Sequence, residues 1–210
     1  MEPTAFTLLY GRWAPRTPHD VVALFEGYPG AWWISGGWAL EAFTGVARAH
    51  ADIDPSVLRA ELPLLRAHLR GRLHVWAAFG GALRPLAAED RPEADPDAVL
   101  PDGCGQVWTR ASADDPWEYD ILLVPGTRDE WRYHRDETIR LPLADALWER
   151  DSVRYLQPEI QLLSKAKALR DKDAADFEAT LPFLDSRRRD WLRSALRRTL
   201  PDHPWITRLS

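Results

Sequence analysis

The sequence predicts an α+β protein, and three observations predict it. Short apolar runs with strand character, separated by glycine and proline turns, recur through residues 31–124. Helical patterns with their own start and stop residues are interleaved with them. From residue 142 onward the pattern is helical. The chain has 210 residues, 45% of them apolar, enough to bury one core with an appended helical part. The expected division is 1–140 for the core and 141–210 for a helical subdomain.

Composition narrows the function classes. With 27 basic and 32 acidic residues the formal charge is -5, which argues against general nucleic-acid binding. The single cysteine, Cys104, excludes an internal disulfide and multi-thiolate zinc sites. The N-terminus MEPTAFTLLYGRW has no basic segment followed by a long apolar run, so no signal peptide is expected. No apolar stretch approaches the ~20 residues of a membrane span. A cytoplasmic location is expected. Most of the eleven tryptophans are expected to fill cores and seams, leaving one or two to stack on a base or sugar.

Taken in order, Thr17-Pro18 is a helix start, with Val21, Leu24 and Phe25 at helical spacing and Tyr28-Pro29-Gly30 as the break. Residues 31–34 read as a short buried strand. Ser35-Gly36-Gly37 follows, with a helix over residues 38–43 that Gly45 ends. Two glycines before a helix N-terminus let the backbone approach an anion, though a Gly-Gly turn by itself is an ordinary tight turn. Asp52-Ile53-Asp54 reads as strand, where alternate residues share a face. Both carboxylates then project together, and a hard divalent cation such as Mg²⁺ relieves their repulsion. A solvated strand end or a helix cap is the alternative. Pro55 removes an amide, which predicts an edge strand or a bulge just after Asp54.

Glu61-Leu62-Pro63 starts the next helix, with Leu62, Leu65 and Leu69 as its stripe and Gly71 as its stop. Residues 73–78 and 82–86 read as a hairpin about Phe79-Gly80-Gly81, and residues 84–105 as a long surface loop of the kind that serves as a lid or recognition loop or is mobile without function. Residues 107–110 are a strand candidate. Residues 117–124 (WEYDILLV) are a stronger one, and Asp120 interrupts their apolar run. A mid-strand acid is costly unless it is paired or faces a cleft. Next to the Asp52–Asp54 strand, Asp120 completes a three-carboxylate cluster, with Glu118 as rival on the same parity. Toward the end, residues 158–169, 171–184 and 185–200 read as three helices. Lys165, Lys167 and Lys172 are the chain's only lysines, all within eight residues. A compact ammonium suits phosphate oxygens, although helix solvation accounts equally for lysines. On one helix Lys165 and Lys167 diverge, so only one is expected to reach a cleft. Of the histidines, His50 stands out for its place two residues before Asp52.

These residues resemble the aminoglycoside/lincosamide nucleotidyltransferase-like group of the polymerase-beta-type superfamily. The resemblance is carried by SGGWALEAF, by the 48–54 run RAHADID, by 155–163 YLQPEIQLL with Lys165-Ala166-Lys167, and by Arg170, Lys172-Asp173, Asp176-Phe177 and His203-Pro204-Trp205. It implies a mixed sheet flanked by helices, with the C-terminal helices closing a cleft. It also implies Mg²⁺ on Asp52 and Asp54, with Asp120 completing the metal site or taking the acceptor hydroxyl's proton. Ser35, Gly36 and Gly37 would lie at the triphosphate and Lys165 at the departing pyrophosphate. The implied reaction moves AMP from ATP to a hydroxyl of a small molecule, and an acidic cleft would suit a polycationic aminoglycoside. Two alternatives stand beside it: a protein- or RNA-modifying nucleotidyltransferase of toxin–antitoxin type, and a non-catalytic nucleotide binder.

Overall fold

The computed structural model describes residues 3–87 and 95–210. Four helices precede or interrupt the first strands. They are α1 (Pro3–Tyr10), α2 (Pro18–Leu24), α3 (Gly36–Thr44) and α4 (Leu62–Leu69). The strands of the main sheet are β1 (Trp32–Ile34), β2 (Pro55–Leu58), β3 (His74–Phe79), β4 (Ala82–Pro85), β5 (Gln106–Arg110) and β6 (Tyr119–Val124). A separate hairpin follows, of β7 (Glu130–Tyr133) and β8 (Asp136–Pro142). The sheet is completed by β9 (Leu147–Arg150) and β10 (Val153–Leu156). Short helices α5 (Pro96–Val99) and α6 (Leu143–Ala146) lie in the connections. The chain ends in α7 (Pro158–Lys165), α8 (Asp171–Thr180), α9 (Ser186–Thr199) and α10 (Trp205–Arg208).

The main sheet runs β4-β3-β5-β6-β2-β1-β10-β9 and is mixed: β1 pairs with β10 and β2 with β6 in parallel, the other neighbours antiparallel. The local signals act as expected at α2, where Thr17 and Asp20 form a capping box. They act likewise at α3, which Gly45 ends in the left-handed conformation at φ 72°. Leu62, Leu65 and Leu69 are the fully buried stripe of α4.

Two expectations are corrected. The run after residue 142 is not all helical, because β9 and β10 join the sheet and the long helices start only at Pro158. Leu147–Leu156 is too short between its turns for helical periodicity to compete with a vacant sheet edge beside β1. Pro55 marks neither an edge nor a bulge: β2 lies inside the sheet between β1 and β6. It is the strand's first residue, a position where the missing amide costs least. The surface loop contains α5 and residues 88–94, which lie outside the described residues.

The sheet's two faces differ. One is sealed by α2 and α4 over a core that includes Ile34, Ile53, Val57, Val107 and Ile121. On the other face the helices from α7 onward cover β1 and β10, with Phe177 stacked on Trp205 at 4.2 Å. They leave the β6, β5 and β3 end of that face open. Among the described residues no helix is long and apolar enough to cross a membrane.

Candidate functional site

The open end is a cavity of about 1020 Å³, and among the described residues the acids lining it are Asp52, Asp54 and Asp120. Asp52-Ile53-Asp54 stops just short of β2, yet backbone bonds hold it in extended form. Ser35 N donates to Asp54 O at 2.9 Å and Asp120 N to Ile53 O at 3.3 Å. Ile53 is therefore buried in the sealed core while both carboxylates face the cavity. Ser56 lies opposite Leu122 in the parallel pair, so two residues back in each chain Asp54 comes level with Asp120.

That proximity costs free energy. Burial first, and the Asp52 carboxylate second, push the Asp54 carboxyl up to about 7. Burial, then Asp54 and Asp52, push Asp120 well above the usual carboxylate range, and the Trp108 indole opposite it in the ladder offsets only part of this. Asp120 Oδ1 is buried with no hydrogen-bond partner. The rival acid, Glu118, is taken by Arg16 at 2.5 Å.

Hard oxygen donors, mutual repulsion and one orphaned oxygen fit a divalent cation held jointly with phosphate oxygens. Among the described residues no three His, Cys, Asp or Glu side chains already form a complete metal-ligand group. Mg²⁺ commonly takes only one or two carboxylates beside substrate phosphates, so the pair Asp52–Asp54 suffices.

Ser35, Gly36 and Gly37 line the cavity at the start of α3, and their contacts are with the protein itself. The Ser35 and Ser56 hydroxyls share a hydrogen bond of 2.8 Å inside the protein. Gly36 N donates to Gln161 Oε1 at 2.7 Å, and Gly36 sits at φ 70°. A Cβ on Gly36 would fall 1.8 Å from Asp54 Oδ2, and one on Gly37 1.7 Å from Arg48 Nη2. The glycines are what allow Asp54 and Arg48 to stand beside the helix start.

All three lysines line the cavity. The expectation that Lys165 and Lys167 diverge fails because α7 ends at Lys165 and the chain turns there. Lys165 is held by Asp176 at 2.8 Å and Asp173 at 3.3 Å. Asp176 also takes Arg48 at 2.8 Å, and Asp173 takes Arg170 at 2.7 Å. Arg48, Lys165 and Lys172 each lower the Asp54 carboxyl, though less than burial raises it. His50 stacks on Trp38 at 4.0 Å and bonds Glu41 at 2.8 Å, which fixes the turn leading into Asp52.

The acidic cleft that would suit a polycation is not what the described residues form. Among the described residues three lining acids stand beside seven cations: Arg48, Lys165, Arg170 and Lys172 near Asp54, and Arg132, Arg135 and Lys167 further along. Of these, Arg48, Lys165 and Arg170 are paired with Asp173 and Asp176, and Arg132 with Glu130. The net charge of -5 is a sum over the whole chain and does not describe this lining. Sequence reasoning gave no role to Arg48 and Gln161, which stand in runs that carry the resemblance, and missed the aromatic residues Phe6, Tyr10 and Trp108. Nothing in their local pattern signals the cavity, because each reaches it through tertiary packing.

No protein-family model and no curated protein matches the chain. Solved structures do. ANT(2″)-Ia in complex with adenylyl-2″-tobramycin aligns with TM-score 0.54 at 16% identity, over 86% of this chain and 94% of that one. The solution structure of the antibiotic-resistance factor ANT(2″)-Ia aligns with TM-score 0.51 at 18% identity, over 94% of each chain. The lincomycin-bound lincosamide antibiotic adenylyltransferase LnuA aligns with TM-score 0.51 at 15% identity, over 79% of this chain and 95% of that one. At such identities the likeness is one of fold: the chain has the nucleotidyltransferase-like α+β architecture of these proteins, a mixed sheet flanked by helices.

Proposed function

We propose that the protein is a nucleotidyltransferase that moves a nucleoside monophosphate, AMP from ATP, to a hydroxyl of a small molecule and releases pyrophosphate. The observation that carries this reading is the level placement of Asp54 and Asp120 on neighbouring parallel segments, facing a cavity rimmed by cations and by the start of α3. A cavity that repels carboxylates internally yet surrounds them with cations suits a metal-bound polyphosphate.

Asp52 and Asp54 would hold Mg²⁺, with Asp120 beside them. The bound ion would neutralise charge on the transferring phosphoryl group and fix the line of attack. Asp120, with its unpartnered Oδ1, would accept the acceptor hydroxyl's proton once a cation offsets its repulsion by Asp54. Ser35, Gly36 and Gly37 would border the triphosphate. Lys165, steadied by Asp173 and Asp176, would face the leaving pyrophosphate together with the exposed Lys172. The structural neighbours bear on this reading through their own substrates: one is described with an adenylylated antibiotic and one is an antibiotic adenylyltransferase.

The test is transfer of label from ATP carrying a labelled α-phosphate, with Mg²⁺, an acceptor panel and an Asp52→Ala control. Labelled small molecule with matching pyrophosphate, lost in the control, is expected. Label on protein or RNA from a cell extract would favour the macromolecule-modifying alternative. No label on any acceptor would sink the proposal.

A further inference from the structure

The cavity has a second wall that the phosphate chemistry does not use. Phe6 and Tyr10 of α1 lie against Trp108 of β5, each with its ring centroid 6.0 Å from the indole and the two 5.0 Å from one another. All three line the cavity. Trp108 is paired directly with Asp120 across the β5–β6 ladder, so this wall begins at the carboxylate that would take the acceptor's proton. Tyr10 Oη donates to Gly81 O at 2.7 Å and Trp117 Nε1 to Tyr10 O at 2.6 Å, so α1 is fastened to the sheet by both ends of one residue. These bonds hold the wall in position, which spares the cost of ordering it on binding.

The charges separate in the same way. Among the described residues the cavity's acids are Asp52, Asp54 and Asp120, and the aromatic wall adds none. An acceptor with several ammonium groups would find no counter-charge there, and would meet the cations on the remaining sides.

We infer that the acceptor is an uncharged hydroxylated molecule with an aromatic or other flat apolar face, which packs on Phe6, Tyr10 and Trp108 and presents its hydroxyl to Asp120. This rests on the transfer reading above and narrows its acceptor class. The rings supply dispersion and burial of apolar area, and a wall with no acid among the described residues discriminates against polycations.

The experiment is calorimetry on the intact protein with Mg²⁺ and a non-hydrolysable ATP analogue. One probe is 4-nitrophenyl β-glucoside, uncharged and ring-bearing, and the other is tobramycin, a polycation. The glucoside is expected to bind more tightly than tobramycin. Phe6→Ala is expected to raise the glucoside Kd about tenfold while the nucleotide Kd stays unchanged. The ranking of the two probes on the unaltered protein tests the inference even if Phe6→Ala loosens α1. Tighter binding of tobramycin, or a glucoside Kd indifferent to a folded Phe6→Ala variant, overturns the acceptor class. It leaves nucleotide transfer standing. The expected ranking without pyrophosphate release from ATP and any acceptor supports the wall as a binding surface and sinks transfer instead.

Discussion

Two pairs of acids, three of the four buried and Asp54 half-buried, lie near one another in this protein and are treated in opposite ways. Asp173 and Asp176 on α8 are almost wholly enclosed, yet every charge is answered: Lys165 lies between them, Arg170 on one and Arg48 on the other. Burial alone would raise Asp173, but the Arg170 and Lys165 contacts outweigh it and hold the carboxyl below its usual range. Asp54 and Asp120 face the cavity with no such partners, and both are pushed upward. The first pair joins α7, α8 and the turn before Asp52 into one body. The second keeps charge repulsion that the nearby cations and the Trp108 indole relieve only in part, as expected of groups placed for chemistry rather than for stability.

The contrast can be broken from either side. The largest expected effect is on turnover: Asp120→Asn should lower the transfer rate by about 10²–10⁴-fold, the range for losing a general base, with nucleotide affinity little changed. Steady-state kinetics with separate nucleotide titration checks this, and an unchanged rate would remove Asp120 from the reaction. Next in size is the paired side. Asp176→Ala leaves Lys165 buried with one weaker partner, and should cost about 3–5 kcal/mol in urea unfolding. A loss below ~1 kcal/mol would show that the cluster is not structural.

Smaller, but sharper, is the pH response. In the unfolded chain Asp54 titrates near 3.8, and in the folded protein near 7. Below the lower value both states are protonated and no penalty exists. As pH rises between the two, the unfolded state releases its proton first, so stability falls and then levels above 7. Asp54→Asn should therefore raise Tm at pH 8 and leave it unchanged at pH 3, while abolishing Mg²⁺-dependent transfer. Equal Tm values at both pH extremes would contradict the unrelieved repulsion. Gly36→Ala should act on the same carboxylate by contact: a methyl 1.8 Å from Asp54 Oδ2 at a left-handed φ costs about 1–3 kcal/mol and displaces the acid. At the foot of the scale, Glu118→Gln breaks only the partly exposed pair with Arg16 and should cost no more than about 1 kcal/mol, with transfer unaffected.

The legible parts of the molecule share a feature: their signals are local. Thr17-Pro18, Gly45 and the Leu62, Leu65 and Leu69 stripe each act within a turn or two of backbone, so helix ends and faces follow from them. The alternation Asp52-Ile53-Asp54 predicts the facing of both acids even though the segment stops one residue before the strand proper. The misreadings were of the other kind. Pro55 in an inner strand and β9–β10 at the sheet's edge depend on which neighbours the sheet supplies. Lys167 reaches the cavity because a helix ends four residues earlier than its pattern suggests.

By itself, then, the sequence determined the α+β class, the Gly36-Gly37 helix start, the two acids beside it and the third acid in mid-strand, because period, turn chemistry and charge are written residue by residue. Tertiary structure alone decided that Asp120 stands level with Asp54, that Lys165 is shared with α8, that Gly36 makes room for an acid, and that α1 brings two rings to Trp108. It also decided the sign of the cleft. Net charge is a sum over the chain, whereas the field in a cavity depends on which few side chains the fold turns inward.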